Sequence, residues 1–142
     1  MGTIVCATRG GEASTRAQDR AIALAKERGD RLIFLYVVDL DFVDSTAAPI
    51  VVDVGQEVTG MGEFMLLMAQ ERAREQEVEA EVAVREGKVR QAIQDFLREV
   101  DADLLVIGLP QPQSRRRVFD EQGVHPFARA VKEATGVEVL VV

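Results

Sequence analysis

Val78-Glu79-Ala80-Glu81-Val82-Ala83-Val84 alternates apolar and polar side chains, the period of a β-strand that keeps one face on a core and wets the other. The other strand-like runs read differently. Thr3–Thr8, Leu32–Val38 and Asp103–Gly108 are apolar almost throughout, as strands covered on both faces of a parallel sheet are. The alternating strand is therefore expected at a sheet edge and the apolar ones inside.

Downstream of it, Val89, Ile93, Phe96, Leu97 and Val100 recur at helical spacing, and Asp101–Asp103 turns the chain into the next strand. Phe127, Ala130, Val131 and Ala134 mark a last helix, predicted to start near Pro126 and to stop at Gly136 before a final strand, Val137–Val142. Upstream, Arg9–Ala13 breaks the first strand and Ser14 is placed as the N-cap of a helix carrying Ala17, Ala21, Leu24 and Ala25. Gly29 supplies the left-handed residue that ends it. After a loop from Asp39, the stripe Met61, Phe64, Met65, Met68 and Ala69 marks a further helix, its methionines assigned to gap-filling in the core.

Strands alternating with helices imply right-handed βαβ crossovers and a parallel sheet with helices on both faces. With strand 3 at the edge, the chain runs outward from strand 1 to 2 to 3 and returns to 4 and 5 on the other side. The expected sheet is five-stranded, in the order 3-2-1-4-5, over one domain spanning residues 1–142. That order reverses between strands 1 and 4, and open α/β sheets bind ligands at the carboxyl ends of the strands flanking such a reversal. Arg9–Ser14 facing Gly108 is the candidate site.

The composition is that of a globular protein, with 142 residues, 47% hydrophobic and 29% charged. A net charge of -7 repels a phosphate backbone and argues against nucleic acid as a partner. The lone Cys6 sits in an apolar run, which fits a core residue. The N-terminus shows no signal-peptide pattern and no stretch approaches the length of a membrane span, so the expectation is a cytoplasmic protein with no membrane partner. No nucleophile-base pattern, Walker loop or paired histidines occur. His125, before Pro126, is read as a capping or exposed residue, and Asp39, Asp41 and Asp44 as loop acids; no metal site is expected.

Taken in order, Ile4–Ser14, Leu35-Tyr-Val-Val-Asp39, Ala102–Gly108 and Gly136–Val142 resemble the universal stress protein family along essentially the whole chain. The resemblance implies a Rossmann-like fold. Members that bind ATP carry an aspartate at the end of strand 1 and, after strand 4, a glycine motif ending in Gly-Ser or Gly-Thr. Here the aspartate position is Arg9, the second motif glycine is Gln111, and His125-Pro126 falls where Gly-Ser would sit. Glycines let backbone N–H groups approach phosphate, and proline has no N–H to offer. What survives is Gly10-Gly11 and Val37 or Val38, whose backbone in relatives faces adenine.

The candidate contacts are Thr8, Arg9, Gly10, Val38, Gly108, Arg115, Arg116 and Arg117. Arg9 either meets an anion or pairs with Glu12, Asp39 or Asp41. The arginine cluster either clamps a phosphate or makes surface or dimer ion pairs. The function implied by the resemblance is a stress-response or regulatory protein, not an enzyme, with weak or no ATP binding and no cofactor. It would act as a homodimer paired through Val137–Val142, with a protein partner as a further expectation. The alternative is an ATP-binding member in which Arg115–Arg117 replace the glycines; nucleotide hydrolysis is a minor variant of it.

Overall fold

The structure, a computed structural model, describes residues 2–8, 11–38, 63–108 and 121–142, with 11–13 and 121–125 as backbone alone. Its elements are β1 (Thr3–Ala7), α1 (Gly11–Arg28), β2 (Arg31–Val38), α2 (63–75), β3 (Ala80–Glu86), α3 (Val89–Glu99), β4 (Leu104–Ile107), α4 (Glu121–Thr135) and β5 (Glu138–Val141). The sheet is five-stranded in the order β3-β2-β1-β4-β5, and every pairing is parallel. The alternating strand is at the edge, as its pattern requires. It begins at Ala80, because the Val78 N–H still serves the end of α2 by donating to the Ala73 carbonyl at 2.9 Å.

Side chains alternate across β1 and so divide the core. Ile4 and Cys6 face α1 and α2, packing with Ala17, Ala21, Leu66, Ala69 and Ala73; Val5 faces α3 and α4, packing with Ile93, Phe96, Phe127 and Val131. Gly29 (φ +68) and Gly136 (φ +77) end α1 and α4 in the left-handed conformation that costs glycine least. Across β2 and β3, Arg31 pairs with Glu81 and holds that carboxyl below its usual range. Both groups are about half exposed, so the pair fixes register more than it adds stability, and what it adds is lost as pH falls through the lowered pKa.

Three local expectations are corrected. Ser14 is not the cap of α1; the helix starts at Gly11, and Ser14 is buried inside it. Pro126 lies within α4, which starts at Glu121, so His125-Pro126 is not a helix start. Proline there costs one backbone bond to the carbonyl four residues back, a loss that other helical contacts offset near an end.

Of the stripe assigned to the core in α2, Ala69 is buried as expected, but Phe64 and Met68 are not. Leu66, Ala69 and Ala73 are buried, whereas Phe64 is 64% and Met68 53% exposed and Met65 is half-buried; Met61 lies outside the described residues. Both faces of this helix are apolar, so periodicity could not choose between them. The alanine face allows the closer approach to the sheet, and it sends Arg72 toward α1 and Gln70 to the Ala80 carbonyl at 2.7 Å. Leu66→Ala is therefore expected to cost about 2–5 kcal/mol in urea unfolding and Met68→Ala less than about 0.5 kcal/mol. Equal costs would return the helix to its other phase.

Candidate functional site

The strand order reverses at β1, and the crevice expected of such a reversal lies at its carboxyl end, between β2 and β4. Thr8, Val38 and Gly108 lie at the carboxyl ends of β1, β2 and β4; Arg9, Gly10, Gln111 and Arg115–Arg117 lie outside the described residues. Backbone direction decides what each can offer, because successive residues of a strand turn their N–H and C=O groups to opposite neighbours. The Thr8 N–H donates to the Leu35 carbonyl at 2.8 Å, so Leu35 faces β1. The Val38 carbonyl accepts from the Gly87 N–H at 3.0 Å, so Val38 faces β3.

Val37 consequently turns its backbone to the β1 side, past Ala7, where that strand has ended. Of the two valines singled out in the sequence, the geometry gives the crevice to Val37, and Val38 contributes a buried side chain only. On the other wall, the Ile107 carbonyl accepts from Val142 on β5 at 2.9 Å. Gly108 therefore turns its backbone toward β1. The crevice is thus flanked by the main-chain groups of Val37 and Gly108, a pair suited to the donors and acceptors of a flat polar ring or a ribose.

Thr8, just past the end of β1, is buried on the α1 side of the sheet. Its Oγ1 accepts a hydrogen bond from Gln18 Nε2 at 2.6 Å, and Gln18 Oε1 accepts from Arg72 Nη1 at 2.6 Å. Arg72 also pairs with Asp19. Neither Gln18 nor Arg72 was singled out from sequence. Gln18 carried a signal: it falls on the buried stripe of α1 beside Ala17 and Ala21, where a polar residue needs a partner.

Below Thr8, burial pushes the Cys6 thiol up to about 12, with the nearby Arg72 charge only partly opposing it. A thiol so protonated and enclosed is inert, so a thiol reagent at pH 8 should label Cys6 no faster than the protein unfolds. Rapid labelling of the native protein would contradict that. Tyr36, half-buried on β2, has its hydroxyl pushed up by desolvation and is a neutral group at ordinary pH. Among the described residues no group of three potential metal ligands occurs, and no helix is long and apolar enough to cross a membrane.

A family model described as the universal stress protein family matches residues 1–142. Among solved structures, a protein of that family from Burkholderia pseudomallei is 25% identical, with 99% of this chain and 95% of that one covered and a TM-score of 0.73. A universal stress protein solved in complex with cAMP is 27% identical over 99% and 96% of the two chains, with a TM-score of 0.70. UspA from Lactobacillus plantarum, at 19% identity over 99% and 97%, shares the fold with a TM-score of 0.79. No curated protein matches the chain.

Proposed function

The chain belongs to the universal stress protein family, and on that footing we propose that it is a stress-response or regulatory protein, not an enzyme, that acts as a homodimer and holds ATP weakly or not at all. The observation that carries the nucleotide part is the start of α4. Its free N–H groups belong to Glu121–Val124 rather than to Pro126, so the proline is not what weakens a phosphate cradle there. An acidic residue at its first position, Glu121, is: acids at a helix start complement the dipole and disfavour an incoming phosphate. Arg9 in place of an aspartate and Gln111 in place of a glycine weaken the site further.

The backbone walls at Val37 and Gly108 remain, which leaves room for recognition of the nucleoside half. A second reading draws on the relative solved with cAMP: a cyclic nucleotide carries one phosphate and less charge than ATP, and needs less of the cradle. In that reading, as in the alternative with ATP, Arg115–Arg117 supply the phosphate contacts.

The homodimer is supported by β5. Glu138, the one charge along that edge, is held by Lys132 of the same chain at 2.8 Å and does not guard the strand. Native mass spectrometry of protein purified without added nucleotide tests both parts together. The expected species is a dimer at twice the chain mass with no ligand; a nucleotide that survives purification would overturn the weak-binding half.

A further inference from the structure

Among the described residues, the large apolar side chains left in solvent are Phe64, Leu67 and Met68 on α2 and Val82 on β3, from 38% exposed at Val82 to 64% at Phe64. They form one surface. Phe64, Leu67 and Met68 share a face of the helix by their spacing. Leu67 lies one turn before Gln70, whose side chain reaches the Ala80 carbonyl, and Val82 lies two residues past Ala80 on the face of β3 that α2 covers, so the stripe continues onto the edge strand. On its other side, Met68 lies one turn before Arg72, which lines an open groove between α1 and α2 with Ile22, Ala23, Lys26, Glu27 and Glu75.

Charge decides what can cover this face. Residues 63–86 carry seven glutamates against three arginines, and each arginine is engaged within the chain: Arg72 with Asp19, Arg74 with Glu71 and Arg85 with Glu99. Glu63, Glu75, Glu77, Glu79 and Glu86 enter no ion pair among the described residues. A second copy docked on the same face would set these carboxylates against one another. Residues 39–62 of the chain hold five acids and no lysine or arginine, and would meet the same repulsion. A strand added along β3 is poorly served as well. The Gly87 N–H is given to β2, so Ala80, Val82 and Val84 turn their backbones to the open edge, and there the Ala80 and Val84 carbonyls already accept from the Gln70 and Arg85 side chains.

We infer that the exposed face of α2 is a docking surface for a basic amphipathic helix, which lays an apolar stripe on Phe64, Leu67, Met68 and Val82 and sets its lysines or arginines against the surrounding glutamates. The flexible methionine lets the surface adapt to such a stripe. Because β3 and β5 are opposite edges of the sheet, a docked helix does not compete with pairing through β5.

The probe is a synthetic leucine–lysine peptide of about 18 residues with one apolar face when helical. One control replaces its lysines with glutamates; the other shuffles the same residues so that no stripe forms. Nitrogen-15 NMR titrations of the full chain locate binding, thermal melts read the fold and equilibrium sedimentation reads self-association. The basic peptide is expected to shift amides of α2 and β3 and to bind at least about tenfold more tightly than either control, with affinity falling as salt is added. Leu67→Gln/Met68→Gln leaves the charge alone and should melt with the starting protein while losing about tenfold in affinity. Phe64→Gln, at the most exposed position, carries the same readout if the double variant melts lower. Glu63→Gln/Glu75→Gln should weaken binding about threefold, whereas Glu133→Gln, exposed on α4, should leave it unchanged. Affinity unaltered in both apolar variants overturns the inference, as do shifts centred away from α2 and β3, equal binding of the glutamate peptide, or no binding at all. A dimer that survives Val141→Pro but is lost in Leu67→Gln/Met68→Gln overturns it too, and gives the face to a second copy.

Discussion

If the chain pairs through β5 as proposed, Val141→Pro is expected to leave a monomer at micromolar concentration with the subunit still folded. The outcome follows from the direction of two bonds. The Val142 N–H donates to Ile107 on β4, so the backbone of Val141 points the other way, off the open edge of the sheet. Val139 points outward with it. Proline at Val141 therefore breaks no bond within the chain, which is the circumstance in which an edge strand tolerates it. It does remove an N–H that a symmetric partner would use, twice per dimer.

Val141→Lys is the companion change, placing like charges opposite each other across the two-fold axis. Val141 is half-buried against the α3 and α4 side, so the lysine variant is judged beside its thermal melt. Equilibrium sedimentation reads the assembly. A dimer that persists in both variants means the chain pairs through some other surface.

How far the sequence could be read differed from link to link. Strand order was legible because Val78–Val84 alternates and the runs in β1, β2 and β4 do not, a contrast that burial on one face or two produces directly. Helix phase was not legible in α2, where Phe64, Leu67 and Met68 form one apolar stripe and Leu66, Ala69 and Ala73 another; only contact with the sheet distinguishes them. Helix starts were misplaced at Ser14 and Pro126 because cap preferences amount to about 1 kcal/mol and tertiary context overrides them.

The site divided in the same way. That a ligand is to be expected at the carboxyl end of β1 follows from topology, which was available from sequence. That Val37 rather than Val38 faces the crevice depends on which neighbour each carbonyl bonds, and register is invisible until strands are paired. The partnership of Gln18 with Arg72, 54 residues apart, has no local pattern at all.

ATP is expected to bind weakly. Relative to a member with the full motif, this chain has Arg9 where an acidic contact stands and Gln111 where a glycine lets phosphate approach, and α4 opens on an acidic residue, Glu121. Loss of a hydrogen bond to a charged group costs roughly 1.5–3 kcal/mol, so two such losses take a micromolar site toward millimolar. Arg115–Arg117 are the groups able to reverse this, by clamping the phosphates with guanidinium forks, in which case affinity falls steeply with salt. Calorimetry with ATP on nucleotide-free protein, beside the Arg115→Ala/Arg116→Ala/Arg117→Ala triple variant, decides between them. The expected dissociation constant is about 1 mM or weaker in both proteins; a constant below about 10 μM that is lost in the triple variant contradicts weak binding.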